Sequence, residues 1–256
     1  METGLGISFK LILLDSEQFQ NDNIQNMSSQ QKKIINVILF GDFKSEIVDL
    51  VEQHDFRIVE KDFDAVVTYG GDGTIVKSEY FFPSVPKIVL KKSEICKKCN
   101  LISNEETLKL IRDGKYTTET LMKLKVEHNG NVLYGMDTVL IHNHNPRHAI
   151  RYGVKIDDIH YREIIIGDGF IVATPFGSTG YYKSITGSFF TDGVGVAFNN
   201  STEQVDHLVT GEKSIIKSHI LRGPADVYVD NIDPMFTVKE DEFITISVAK
   251  EKGVYY

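Results

Sequence analysis

Two short stretches of this chain concentrate residues that can do chemistry. The first is Tyr69-Gly-Gly-Asp-Gly-Thr74, which follows the apolar run Asp64-Ala-Val-Val-Thr. A strand that ends in consecutive glycines exposes backbone N–H groups at its C-terminal edge and lets phosphate oxygens approach the main chain. A helix beginning at Thr74 adds favourable polarity for an anion. Asp72 sits inside this anion-welcoming turn. A carboxylate there can orient a hydroxyl, accept its proton or meet magnesium carried by phosphates. The Gly-Lys-Ser/Thr ending of a Walker A loop is missing, and the Rossmann spacing does not fit. The competing reading is a tight turn in which Asp72 caps Thr74 and its neighbours.

The second stretch is Gly167-Asp-Gly-Phe-Ile-Val-Ala-Thr-Pro-Phe-Gly-Ser-Thr-Gly-Tyr-Tyr-Lys-Ser184. Asp168 precedes an apolar strand, Phe170 to Ala173, which Thr174-Pro175 breaks. Ser178-Thr179-Gly180-Tyr181 then opens a helix. Small residues let a flat ligand approach the backbone, hydroxyls supply hydrogen bonds, and Tyr181 can stack. Asp168 can meet a ribose hydroxyl or a cationic ring. A strand-to-helix corner with a serine cap explains the same residues equally well.

The elements that must position these stretches change character along the chain. Gly4 to Leu14 reads as a strand and Asp15 to Lys33 as a polar loop or short helix. Ile34 to Phe40 reads as a buried strand and Lys44 to Gln53 as a helix. Further strands are expected at Phe56 to Val59, Asp64 to Tyr69 and Lys87 to Leu90. This is an α/β pattern with a parallel sheet. After a linking helix, Asn104 to Arg112, strands dominate. Asn129-Gly130 joins Leu121–His128 to Val132–Ile141, and Asp157-Asp158 joins Ala149–Ile156 to Ile159–Ile166. Later strands are expected at Val196 to Phe198, Ser214 to Leu221, Asp226 to Val229 and Phe243 to Val248. The predicted fold is an α/β domain over residues 1–99 followed by a β-rich domain over 100–256, with the C-terminal segment a candidate to return to the first domain.

The 256 residues include 15 Phe, 11 Tyr and a hydrophobic fraction of 41%, enough for a substantial core. A formal charge of −8, from 28 Lys and Arg against 36 Asp and Glu, argues against broad nucleic-acid binding. No apolar run reaches the ~20 residues that span a bilayer. The opening residues carry neither a basic n-region nor a small-residue cleavage site, so a cytoplasmic protein with no membrane partner is expected. Cys96 and Cys99 are the only cysteines; their spacing allows half of a zinc site or a redox pair, but with no second pair and in that compartment they read first as ordinary reduced thiols. His142, His144 and His148 read as a polar loop. Lys91, Lys92, Lys97 and Lys98 read as a solvated face or a steering patch for phosphates. Asp226, Asp230 and Asp233 read first as a late strand and turn.

Taken together, GGDGT at Gly70 to Thr74 and DGFIVATPFGSTGY at Asp168 to Tyr181 resemble the NAD kinase family. GGDGT alone is shared with diacylglycerol kinase-like and phosphofructokinase-like enzymes; the pair is far more specific, and the resemblance runs from about Ile34 to Ile246. It implies a two-domain fold with NAD bound between the domains, in dimers or tetramers. It also implies phosphoryl transfer from ATP, or in some members polyphosphate, to the 2′-hydroxyl of the adenosine ribose of NAD. Magnesium would travel with ATP, and no metal site of the protein's own is expected. By the same resemblance Asp72 is the general base, and Gly71, Gly73 and Thr74 shape the phosphate-side loop. Thr179, Gly180 and Tyr181 line the adenosine site, Asp168 faces the nicotinamide end, and Ser184 lies close to the dinucleotide.

Four departures bear on substrate and activity. The family's Asn-Glu pair is replaced by Asp137-Thr138 within Gly135-Met-Asp-Thr138. Its GxxxGFL loop is replaced by Lys91-Lys-Ser-Glu-Ile-Cys96. Ile166 stands in an arginine-like position, and the later GGP element reads Thr186-Gly187-Ser188. A related kinase with another hydroxyl acceptor, or a silent dinucleotide-binding sensor, remains compatible with these changes.

Overall fold

A computed structural model describes residues 34–92, 96, 98–202, 207–230 and 232–256. The strand expected at Gly4 to Leu14, the loop of Asp15 to Lys33, and Lys97 lie outside the described residues. Two compact units divide between Thr120 and Leu121, and Val254–Tyr256 belongs with the first. The helix Asn104–Arg112 therefore falls within the first unit.

The first unit is built on a sheet ordered Arg57–Ile58, Asn36–Phe40, Ala65–Gly70, Lys87–Lys91, Gly253–Tyr255 and Glu119–Leu121. The first five strands pair in parallel. Parallel strands are covered on both faces, which is why Ala65–Thr68 is buried at every position. Val37, Leu39, Ala65, Val67, Ile88 and Leu90 share a core with Val51, Leu108 and Ile111 from the flanking helices. The helix after the glycines begins at Asp72, two residues earlier than expected, and runs to Phe81. Gly71 is its N-cap, and its carbonyl accepts the N–H of Thr74 at 2.9 Å. Asp72 thus occupies the first turn of the helix.

The second unit holds two antiparallel six-stranded sheets around one apolar core. Leu124, Val126, Tyr152, Val154, Ile244 and Ile246 come from one sheet; Val139, Ile141, Phe170, Val172, Val196 and Val227 come from the other. Both hairpin turns form where expected. Asn129 and Gly130 take φ of 47° and 82°, and Asp157 and Asp158 take 51° and 66°, the left-handed geometry that matches strand twist.

The strand expected at Val132 to Ile141 is two strands. Asn131–Gly135 joins the first sheet of this unit and Thr138–Asn143 joins the second, so the chain changes sheets at Met136-Asp137. Gly169–Ala173 is central in that second sheet and buried throughout. Phe170 and Val172 face the shared core, while Ile171 and Ala173 pack on the opposite face with Tyr182 and Ala197. The helix Tyr181–Thr186 covers this opposite face.

Candidate functional site

In the first unit, Gly71, Asp72, Gly73 and Thr74 come together where the Ala65–Gly70 strand enters its helix. A methyl group at Gly70 would fall 2.2 Å from Thr74 Oγ1, so the helix start packs directly on this glycine. Cβ atoms at Gly71 and Gly73 would meet nothing within 4 Å. Those two glycines leave open space over the first turn, where the N–H groups ahead of Thr74 precede the first helical bonds, which Thr74 and Ile75 make to Gly71 O at 2.9 and 3.3 Å.

Asp72 is tied to Cys96 and Lys98, which follow the Lys87–Lys91 strand. Its Oδ1 accepts the backbone N–H of Lys98 at 2.9 Å. Cys96 Sγ lies 3.0 Å from the same oxygen, and Cys99 Sγ lies 3.9 Å from the carbonyl of Gly70. Cys96 and Cys99 are joined by a disulfide. The expectation of reduced thiols is corrected: four positions of chain bring the two Cα atoms to 5.4 Å, within disulfide reach. Lys92, from the same basic cluster, is paired with Glu46.

In the second unit, Asp230 organises the Gly135-Met-Asp-Thr138 segment. Its Oδ2 accepts the N–H of Met136 at 2.6 Å, and its Oδ1 accepts those of Asp137 and Thr138 at 2.8 and 2.9 Å. Burial and the neighbouring Asp137 charge push the Asp230 carboxyl up to about 6, against the downward pull of these three N–H groups. Thr174 holds the same segment by its carbonyls. Its hydroxyl donates to Met136 O at 2.7 Å, and its N–H donates to Asp137 O at 3.1 Å. A Cβ at Gly177 would fall 2.0 Å from Asp137 O, so only glycine fits there. The TPFG corner and the Met136–Thr138 segment are therefore one structure. Asp137 and Thr138 are both half-buried.

Asp168 is held from both sides. Asn143 Nδ2 donates to its Oδ1 at 3.1 Å and Asn200 Nδ2 to its Oδ2 at 2.9 Å. Burial and the Asp168 charge push the Tyr152 phenol upward, and its hydroxyl donates to Gly169 O at 2.7 Å. Tyr181 is exposed, and its hydroxyl accepts Asn199 Nδ2 at 2.9 Å. Asn199 lies directly opposite Gly169 in the sheet. Asp168 and Tyr181 are thus set by adjacent residues of one strand end. Thr179 ends a short 3-10 turn, Gly180 follows it, and both border the Tyr181–Thr186 helix. Ser184 is exposed, with its hydroxyl bonded to Tyr181 O at 2.7 Å.

Asp230, Thr174, Asn143, Asn199 and Asn200 escaped the sequence reading as site-positioning residues. Of these, the sequence marks Thr174 only as a strand break and Asp230 only as part of a late strand and turn. Asp226, also read with a late strand and turn, is a buried strand residue that meets His144 at 2.9 Å and Thr237 at 2.7 Å. His144 therefore serves this contact, and His142 lies on the Thr138–Asn143 strand. Among the described residues, no group of three His, Cys, Asp or Glu is placed to hold a metal ion. No described helix is long and apolar enough to cross a membrane.

Residues 136–256 match the model of the ATP-NAD kinase C-terminal domain. An NAD kinase from Saccharolobus solfataricus is 28% identical over 215 residues, covering 81% of this chain and 85% of its own. Two crystal structures share the fold. Yeast NADH kinase complexed with NADH superposes with a TM-score of 0.74 at 16% identity, covering 88% of this chain and 84% of its own. An NAD kinase from Archaeoglobus fulgidus in complex with ATP gives 0.69 at 18% identity, covering 87% and 92%.

Proposed function

The chain belongs to the NAD kinase family, and from that premise we propose that it transfers the γ-phosphoryl group of ATP to the 2′-hydroxyl of the adenosine ribose of NAD. The observation that carries the reading is Asp72 in the first turn of its helix, between two glycines with open space above them. A carboxylate so placed is beside an anion-favouring helix terminus, yet one of its oxygens is fixed by the Lys98 N–H. Phosphoryl transfer depends mainly on positioning and charge stabilisation, so the protein supplies a base and donors and leaves the bond changes to the substrates.

In this reading Asp72 accepts the proton of the attacking 2′-hydroxyl, and the backbone of Gly71, Gly73 and Thr74 faces phosphate. Magnesium enters as part of the MgATP substrate. Asp137 and Thr138 border the adenine and ribose, and Thr179, Gly180, Tyr181 and Ser184 border the adenosine. Asp168 meets the nicotinamide end, its carboxylate oriented by Asn143 and Asn200. An oligomer and a cytoplasmic location belong to the same proposal by family analogy.

The test is product formation by the full chain. MgATP with NAD or NADH is incubated with the protein, and product is read with an NADP-specific dehydrogenase and by 31P NMR. A new phosphate monoester on the adenosine ribose, recognised by the dehydrogenase, is the expected result. ATP consumption with a different phosphorylated acceptor would replace NAD as the substrate. Tight NAD binding with no turnover would make the protein a dinucleotide sensor.

A further inference from the structure

We propose that the Cys96–Cys99 pair is a redox site that sets the reactivity of Asp72, so that the enzyme is fast with the disulfide closed and slow with it reduced. The inference rests on the phosphoryl-transfer reading above for its kinetic consequence, and on the Cys96–Asp72 contact for its physical basis.

Three observations place the pair at the carboxylate. Cys96 and Cys99 are covalently joined. Lys98, inside the four-residue ring they close, donates its N–H to Asp72 Oδ1 at 2.9 Å. Cys96 Sγ itself is 3.0 Å from that oxygen. In the disulfide neither sulfur carries a proton, so the Cys96 contact gives Asp72 no hydrogen bond, and Lys98 N–H is the donor fixed on Oδ1. Reduction changes this chemistry at one atom. A Cys96 thiol at the same place becomes an S–H donor to a carboxylate oxygen. The adjacent negative charge disfavours the thiolate, which keeps that proton on sulfur. A further donor stabilises the ionised carboxylate and makes Asp72 a poorer proton acceptor. Opening the ring also removes the covalent constraint on the Lys98 N–H.

The exchange is chemically complete with a dithiol reductant. Cys96 is half-buried and Cys99 is buried, so the attacking thiolate meets Cys96 Sγ. A mixed disulfide forms there and Cys99 leaves as a thiolate, which takes a proton. The second thiol of the reductant then attacks its own sulfur in the mixed disulfide and releases Cys96, which is protonated in turn. Two electrons and two protons pass to the protein, and the dithiol becomes a disulfide. In a reducing compartment, disulfides of this kind are transient and redox-sensing.

The experiment compares the full-length protein oxidised and after treatment with dithiothreitol, counting thiols with a chromogenic thiol reagent. Reduction is expected to raise the count from zero to two and to lower kcat about tenfold, with KM for NAD changed less than twofold. Cys96→Ala combined with Cys99→Ala should make kcat indifferent to dithiothreitol. A second readout needs no turnover: the 13C resonance of the Asp72 carboxyl carbon, assigned with Asp72→Asn, should shift on reduction. Two free thiols in the protein under air oxidation would overturn the proposal, as would an unchanged or raised kcat on reduction. If neither form phosphorylates NAD, the phosphoryl-transfer reading fails. The Asp72 resonance then still decides the redox coupling, and an unmoved signal overturns it.

Discussion

Asp230 accepts the N–H of Thr138 at 2.9 Å across 92 residues of sequence. The same carboxylate takes the N–H groups of Met136 and Asp137, so one half-buried side chain fixes the whole bend by which the chain leaves one sheet for the other. This bend carries Asp137 and Thr138, the pair proposed above to border the adenine and ribose.

The Asp230 carboxyl has a linked pH effect whose sign is fixed. In the fold it holds its proton up to about pH 6, whereas an unfolded aspartate releases it near 4. Between those values the folded state binds more protons, so its contribution to stability is full below about pH 4 and is lost as pH rises through about 6. Asp230→Asn does not titrate. The stability advantage of the unmodified protein over this variant should therefore shrink between pH 4 and 6 and level off above. Urea unfolding of both proteins at pH 4, 5, 6 and 7 measures it. An advantage that grows with pH would contradict the burial argument.

Thr174 gives a second handle on the same bend. Its hydroxyl donates to Met136 O and accepts the N–H of Gly177 at 3.0 Å, in a fully buried setting. Thr174→Val keeps the shape and strands both partners, which should cost about 1–3 kcal/mol. Thr174→Ser should recover most of the loss, because it restores the hydroxyl. Chemical denaturation of the three proteins decides, and equal stability of the Val and Ser variants would show that the methyl group matters more than the bonds.

Much of this fold was legible because its signals are local. The run Asp64 to Tyr69 is apolar and ends in glycine, and it forms the strand Ala65–Gly70. Asn129-Gly130 and Asp157-Asp158 carry their own turn geometry. What escaped depends on partners distant in sequence. The break at Met136-Asp137 is dictated by Asp230, 94 residues beyond Met136. Glu119–Leu121 and Gly253–Tyr255 are three residues each, too short for a periodic pattern, and exist because a sheet offers them a place. Cys96 and Cys99 pair beside Asp72, whereas their spacing left a redox pair open and the expected compartment favoured thiols. The two site motifs were visible as residue types. Their holders Asn143, Asn199 and Asn200 were not, since an isolated asparagine carries no spacing signal.

The glycine turn separates stability from function in a pair of variants. Gly73 lies within the helix with open space beside it. Gly73→Ala should leave stability equal or raise it by about 0.4–1 kcal/mol, through lost freedom in the unfolded chain. If phosphate approaches this backbone, the new methyl group should still raise KM for ATP. Gly70→Ala should do the reverse in the fold, since its Cβ meets Thr74 Oγ1 at 2.2 Å and Thr74 Cβ at 2.7 Å; a loss of about 1–3 kcal/mol is expected from overpacking. Thermal melts and steady-state kinetics on both proteins test the pair. An unaltered KM for ATP in Gly73→Ala would place the phosphates elsewhere.

Asp72→Asn separates the base from the scaffold. The amide is nearly the same size, and its oxygen can still accept the Lys98 N–H that Oδ1 now accepts at 2.9 Å. The helix start keeps its Gly71 cap and the Thr74 contact on Gly70, neither of which involves the carboxylate. Folding and NAD affinity should therefore survive, as circular dichroism and calorimetric titration would report. Turnover should not. Loss of general-base assistance lowers the rate on the order of 10²–10⁴, and the loss should persist at saturating MgATP and NAD, because it lies in kcat. A carboxylate that acted only by attracting magnesium would behave differently, since raising the magnesium concentration would recover part of the rate. A titration of kcat against magnesium at fixed ATP distinguishes the two roles. Near-normal turnover by Asp72→Asn at every magnesium concentration would remove Asp72 from the chemistry and leave it as a turn residue that happens to face the Cys96–Cys99 bridge.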